Sequence, residues 1–134
     1  MANRVNIRIN SVVFTGGQET DNGVTMSIDA ACQVGDLVTA DSVIPNKVVR
    51  GAAGAIPLGV VEIIEKDGLG TVQSTENIQI LALTGPVILG IAGLQCNGDG
   101  TAKLVAFAPA TARSVNVYGS QVVNGVTYVA VADL

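Results

Sequence analysis

Short stretches of alternating apolar and polar residues, separated by turn-forming residues, run through nearly the whole chain. In segment 24–28 every second residue is apolar, which is typical of a β-strand with one buried face. Asp67-Gly68 and Asn124-Gly125 are dipeptides that favour tight hairpin turns. No segment carries the three-to-four-residue apolar spacing of an amphipathic helix. The sequence therefore predicts an all-β protein.

The composition indicates an aliphatic core and a surface that contacts another protein. The 134 residues are 49% hydrophobic but include only two Phe, two Tyr and no Trp. A chain of this length suits one domain and hides roughly two thirds of its unfolded surface on folding. Only 13% of the residues are charged, whereas soluble surfaces commonly carry about a quarter or more. The alternative is a monomer with a surface rich in Ser, Thr, Asn and Gly.

Two parts of the chain resemble each other. Residues 35–41 align with residues 93–99, and the Lys-Val-Val at 47–49 aligns with the Lys-Leu-Val at 103–105. Two similar units are therefore expected, each a hairpin followed by a strand pair. If the units close on each other, they hide edges that neither could hide alone. We predict a small β-barrel or β-tulip built from two quasi-repeated hairpin units.

The N-terminal residues 1–23 are predicted to form a strand-like arm and a hinge loop, ahead of a barrel over residues 24–134. Apolar residues between Val5 and Val13 alternate with polar ones, which indicates one long strand. Residues 14–23 are polar and rich in glycine, which is typical of a loop. Such an arm can pair within its own sheet or add a strand to a neighbouring subunit.

The charge pattern argues against binding to nucleic acid or insertion into a membrane. The net charge is −4 and the pI is near 4.5, whereas nucleic-acid affinity depends largely on Lys and Arg. The most apolar stretch, residues 78–93, is too short to span a bilayer and is interrupted by Gly85-Pro86. We expect it to form two buried strands joined by a turn. The chain start lacks the apolar core of a signal peptide.

The residues that enzymes and metal sites commonly use are sparse. The chain has no His, so catalytic Ser/His/Asp or Cys/His groups and the usual Cys/His zinc site cannot form. Cys32 and Cys96 are expected to be buried free thiols, which suits assembly in a cytoplasm. Glu62 and Glu65 lie on opposite faces of a strand and are expected to be solvated charges. We predict no catalytic, cofactor or metal site.

Three further patterns have simple structural interpretations. Residues 97–100, NGDG, lack the alternating oxygen ligands of a calcium loop and predict a hairpin turn. Lys47 and Lys103 lie near turns but lack the neighbours that biotin and lipoate carrier domains show. The four aromatic residues are too few for a base-stacking or sugar-stacking surface and favour core or interface packing.

Two segments resemble the phage head-decoration, or capsid cement, proteins, both the small lambdoid trimers and related Ala/Gly/Val-rich capsid proteins. The first is GDLVTADSVIPNKVVRGAAGAIPLGVVEI at 35–63, and the second is ILALTGPVILGIAGLQCNGDGTAKLV at 80–105. Together they lie within residues 34–106, a little over half of the chain. The resemblance implies an all-β barrel or tulip, a homotrimer, and a seat on the outer surface of an icosahedral head after assembly in the host cytoplasm.

The resulting hypothesis is a non-enzymatic virion protein that stabilises a capsid by bridging subunits of the major capsid protein. The resemblance implies that the N-terminal segment makes the capsid contact, and the candidate residues are Arg4, Val5, Ile7, Arg8 and Ile9. Two alternatives stay open: another virion component such as a tail or head-fibre base, and a small cellular β-barrel binding module.

Overall fold

The computed structural model describes residues 6–9, 12–15, 23–76 and 78–134, which form twelve strands and no helix. This part of the chain confirms the all-β prediction, and it has no helix long and apolar enough to cross a membrane. The strands are β1 (Asn6–Ile9), β2 (Val12–Thr15), β3 (Gly23–Ile28), β4 (Leu37–Ala40), β5 (Lys47–Arg50), β6 (Gly59–Ile64), β7 (Leu69–Gln73), β8 (Gln79–Leu83), β9 (Gly90–Cys96), β10 (Ala102–Val105), β11 (Arg113–Val123) and β12 (Val126–Asp133).

Strands β3–β7 and β8–β12 each close into a five-stranded barrel, and the two barrels have the same connectivity. In each barrel the first strand pairs in parallel with the third and antiparallel with the fifth. The second strand pairs with the third and fourth, and the fourth pairs with the fifth. The predicted two-unit repeat is confirmed, but each unit closes on itself rather than on the other.

Irregular positions in the two barrels also correspond. The register of β6 with β7 shifts between Val61 and Ile63, and that of β11 with β12 shifts between Val117 and Gly119. Glu62 and Tyr118 are therefore equivalent bulge residues, since one extra residue is inserted at the same point of the same strand pair. This equivalence aligns the fourth and fifth strands of the two barrels.

The predicted alignment of the third strands is two residues out of register. Val48 pairs with Ile28, the last residue of β3, and Ala102 pairs with Leu83, the last residue of β8. Val48 therefore corresponds to Ala102, whereas the sequence alignment placed it over Leu104. A shift of two residues leaves every side chain on its predicted face, because side chains alternate with a period of two.

Each barrel has an aliphatic core, as the composition predicted. The first barrel buries Ile28, Cys32, Val38, Val48, Val61 and Val72. The second buries a larger cluster, which includes Leu81, Leu94, Cys96, Val115, Val129 and Val131. Leu37 and Val60 belong to this second cluster although they lie on strands of the first barrel. Their neighbours Val38 and Val61 face the first core, so Leu37 and Val60 face outward and join the two barrels.

Backbone hydrogen bonds reinforce this junction. The loop at 51–58 adds an extended segment to β9: Gly54 N–H donates to the Cys96 carbonyl at 2.8 Å, and Cys96 N–H donates to the Ala55 carbonyl at 2.9 Å. Leu37 N–H donates to the Gly100 carbonyl at 3.0 Å. The first barrel thus lies against one end of the second barrel.

The N-terminal segment forms a hairpin, and the predicted single long strand is wrong. Strands β1 and β2 pair antiparallel, with Ile9 opposite Val12. The two residues between these strands are Asn and Ser, which favour turns and have little tendency to continue a strand. The period-two pattern is preserved on both arms, so alternation alone could not show the reversal.

The hairpin lies across the outer face of the second barrel. β1 lies beside β11 and β2 lies beside β8, and these strands flank β12 in the barrel. Ala130 and Ala132 alternate with the core residues Val129 and Val131, yet both are buried. We infer that the hairpin covers them, because outward-facing residues of an uncovered barrel would be exposed.

Candidate protein interaction surfaces

Corresponding ends of the two barrels have different surroundings. The first barrel covers one end of the second barrel. At this end β8 and β11 begin, and β9 and β12 finish. Within the described ranges, no chain segment plays that part at the matching end of the first barrel. We call this matching end of the first barrel the open end. Four apolar residues are exposed there: Val24, Val43, Ile44 and Leu58, with exposed fractions of 58%, 85%, 49% and 44%.

A groove leads into the first barrel at the open end. It has a volume of about 280 Å³ and is lined by Val24, Met26, Leu58, Val72 and Ser74. Four of these five side chains are apolar. Val72 is part of the buried core, and Met26 packs against it, so the groove joins exposed apolar surface to the barrel interior. Such a surface favours an apolar partner.

The loop that carries Val43 and Ile44 is held in a fixed conformation. Asp41 Oδ2 accepts hydrogen bonds from Ile44 N–H at 2.6 Å and from Val43 N–H at 3.1 Å. These two bonds lower the pKa of Asp41, so its carboxylate stays ionised and keeps the turn closed at neutral pH. The loop therefore presents two aliphatic side chains at little cost in conformational entropy.

A second apolar surface lies on the second barrel, where the sequence predicted buried strands. Residues 86–89 precede β9 and are not part of it. Val87, Leu89 and Ile91 are exposed, with fractions of 38%, 65% and 54%. We call these three residues the second-barrel stripe. A run of aliphatic residues predicts burial, and here that burial is incomplete within the described part of the chain.

A third exposed apolar position is the hairpin between β11 and β12. Asn124 and Gly125 both have positive φ, 51° and 79°, as the predicted tight turn requires. Val122 and Val126 beside this turn are 64% and 40% exposed. β9 pairs with β11 as far as Val117, so the hairpin tip extends beyond that pairing.

The predicted capsid-contact residues lie largely outside the described structure. Arg4 and Val5 are not among the described residues, and only the backbone of Arg8 and Ile9 is described, in β1. Ile7 is 1% exposed, so its side chain is buried against its own chain. In this conformation Ile7 anchors the hairpin.

Both cysteines are free and buried, as predicted. Burial raises the pKa of the Cys96 thiol to about 11. Burial also raises the pKa of Cys32, and the carboxylates of Asp36 and Asp29 add to that shift. Both thiols are therefore neutral near pH 7, and neither is an activated nucleophile.

One carboxylate differs from its predicted environment. Glu62 is 6% exposed, so the expectation of a solvated charge is wrong. The bulge in β6 lies at this residue, and it breaks the simple alternation from which the prediction was made. Glu65, beyond the end of β6, is exposed as expected.

The NGDG segment forms the predicted turn between β9 and β10. Asp99 Oδ1 accepts hydrogen bonds from the Thr101 hydroxyl at 2.6 Å, from Thr101 N–H at 3.0 Å and from Asn97 Nδ2 at 3.2 Å. These contacts lower the pKa of Asp99. Among the described residues, no group of three or more His, Cys, Asp or Glu side chains is placed to hold a metal ion.

No protein-family model matches the chain, and no curated protein matches it.

Proposed function

We propose that this protein is a non-enzymatic structural component of a phage virion, and that it decorates and stabilises an icosahedral capsid by bridging subunits of the major capsid protein. It acts as a homotrimer on the outer capsid surface. The proposal combines the sequence resemblance of residues 35–63 and 80–105 with the surfaces described above.

The observation that carries the proposal is the placement of exposed aliphatic side chains on closed barrels. The open end and the second-barrel stripe lie on different barrels, so one chain can contact two neighbours at once, whether these are further copies of the chain or capsid subunits. Because the barrels are closed, their strands offer few free edges, and adhesion depends on side chains such as Val43 and Leu89. Several modest contacts made by one multivalent particle then act together.

The N-terminal residues keep their proposed role in capsid contact. Arg4, Val5, Arg8 and Ile9 are the proposed contacts, and the buried Ile7 holds β1 against the second barrel. A preorganised contact loses less conformational entropy on binding than a free arm would.

Copy number in purified particles tests the function. Particles from cells that carry the gene are purified on a density gradient, and the ratio of this protein to the major capsid protein is measured by quantitative mass spectrometry. A decoration protein is expected in hundreds of copies per particle, and removal of the gene should leave heads that rupture more readily on heating.

The two alternatives give different results in the same experiment. A tail or head-fibre base is expected in a few copies per particle. A cellular binding module is expected to be absent from particles washed at high salt. Either result would overturn the capsid-decoration proposal.

A further inference from the structure

We propose that copies of this chain associate head to tail, with the second-barrel stripe of one copy packed against the open end of the first barrel of the next copy. This inference rests on the homotrimer of the proposed function and names the surfaces that hold it together. In a closed ring both surfaces contact other copies, and the capsid contact then falls to the N-terminal residues.

The template for this contact is the junction inside the chain. There the outer side of the first barrel, through Leu37 and Val60, packs against one end of the second barrel. The second barrel has the same connectivity as the first and therefore has a corresponding outer side. The first barrel likewise has a corresponding end, which is the open end.

The residues that correspond to Leu37 and Val60 can be identified. Val60 directly precedes Val61 at the β6 bulge, and Asn116 directly precedes Val117 at the β11 bulge. Val60 pairs with Leu37, and Asn116 pairs with Ile91. Relative to the fourth strand, Ile91 therefore occupies the position of Leu37. The pairing of the second strand with the third places Leu37 over Gly93 instead, two residues along the same face of β9.

The equivalent residues differ sharply in exposure. Leu37 is 0% exposed, whereas Ile91 is 54% exposed. Both are large aliphatic residues that face out of their own barrel. Leu37 is buried because the second barrel lies against it, and Ile91 has no such neighbour among the residues that the structure describes. An aliphatic residue at this position is what a further barrel end would require.

The loop between the second and third strands is covered in the second barrel and exposed at the open end of the first barrel. In the second barrel, the turn at 97–101 between the second and third strands lies against the first barrel: Gly100 accepts from Leu37 N–H, and Gly98 lies close to Ala53. The corresponding loop of the first barrel is residues 41–46. It presents Val43 and Ile44, which are 85% and 49% exposed.

A second copy fits the open end better than the chain's own preceding segment does. Residues 16–22 read GGQETDN and contain no aliphatic side chain, so they are poorly matched to a groove lined by Val24, Leu58 and Val72. The stripe of a second copy supplies Val87, Leu89 and Ile91. Contacts between two different surfaces repeat from copy to copy until a ring closes, and three copies would form the predicted trimer.

Two single substitutions test the inference. Val43→Asp places a charge in the open end, and Ile91→Asp places one in the stripe. Val122→Asp is the matched control, because it alters a valine that is 64% exposed, between Ile91 and Val43 in exposure, and belongs to neither surface. Circular dichroism and thermal unfolding check that each variant is folded. If one is not, Ile44→Asp or Leu89→Asp replaces it.

The mass in solution is measured by size-exclusion chromatography with multi-angle light scattering. We expect the unaltered protein and Val122→Asp to be oligomers, and Val43→Asp and Ile91→Asp each to be monomers. Mixed in equal amounts, the two monomeric variants retain one intact surface each, so they should form a dimer and nothing larger.

Several results would overturn the inference. A monomeric unaltered protein would show that the open end is not used between copies. If Val43→Asp dissociates the oligomer and Ile91→Asp does not, the open end pairs with another surface. If both dissociate it and the mixture stays monomeric, the two surfaces do not bind each other.

Discussion

Arg113 and Asp133 form a bidentate ion pair at the junction between the barrels. Arg113 Nε donates to Asp133 Oδ1 at 2.8 Å, and Nη2 donates to Oδ2 at 2.7 Å. The Thr75 hydroxyl, which follows the last strand of the first barrel, also donates to Oδ1 at 2.6 Å. One carboxylate on β12 therefore ties the end of the chain to both barrels.

The first prediction concerns this carboxylate and pH. Burial alone would raise the pKa of Asp133, but hydrogen bonds from Arg113 and Thr75 outweigh it, and the net shift is downward. An unfolded Asp has a pKa of about 3.9, so this stabilisation is present above about pH 4 and is lost as the pH falls through the lower folded value. Asp133→Asn should lower the free energy of unfolding at pH 7 by about 1–3 kcal/mol.

Urea unfolding at pH 7 and pH 3 measures this effect. The difference between Asp133→Asn and the unaltered protein should shrink at pH 3, because the unfolded chain then binds a proton at Asp133 that the ion pair in the folded protein resists. Glu65→Gln serves as a control at an exposed carboxylate and should change stability little at either pH. A difference that is the same at both pH values would rule out the ion pair as its source.

The second prediction concerns close packing at the same junction. A Cβ atom at Gly51 would clash with Cys96 Sγ and lie 2.8 Å from Cys96 Cβ. Gly51→Ala should therefore lower the free energy of unfolding by about 1–3 kcal/mol. Cys96→Ala removes the sulfur, so the double variant should be more stable than the sum of the two single effects predicts. Thermal unfolding of all four proteins measures this coupling, and strictly additive effects would contradict it.

Much of the fold could be predicted from the sequence because strands and tight turns depend on residues that are close together in the chain. Alternation located β3, and the dipeptides at 67–68 and 124–125 located two hairpin turns. The same signals could not show the reversal between β1 and β2, or that each unit closes on itself. Both depend on long-range packing that a single alternating pattern does not encode.

The candidate surfaces were harder to predict for a related reason. Residues 86–91 are aliphatic, and aliphatic runs usually indicate burial within the chain. Leu89 and Ile91 are nevertheless exposed, since no described part of the chain lies over them. The internal repeat could have indicated this surface. Leu37 is buried against a barrel end, so the equivalent aliphatic residue of the second unit is expected to contact a barrel end as well.

The third prediction concerns thiol reactivity. The pKa of Cys96 is raised to about 11 and that of Cys32 is also raised, so little thiolate is present at pH 8, and both sulfurs are buried. In the folded protein neither thiol should react with Ellman's reagent over the time in which the protein in guanidinium chloride reacts completely. A Val122→Cys variant should gain one rapidly reacting thiol. Rapid reaction of the unaltered folded protein would contradict the described burial.

The last prediction concerns the anchor of the N-terminal hairpin. Ile7 is buried, and so are Ala130 and Ala132, which we infer the hairpin covers, so Ile7→Ala removes apolar contacts that hold the hairpin on the second barrel. The docking free energy should fall by about 2 kcal/mol or more, while both barrel cores stay intact. Hydrogen exchange followed by mass spectrometry should show faster exchange in β1 and β2 and unchanged exchange in β5. Val122→Ala, at an exposed valine, should leave both regions unchanged. Equal acceleration in β5 would mean that Ile7 supports the whole fold rather than the hairpin alone.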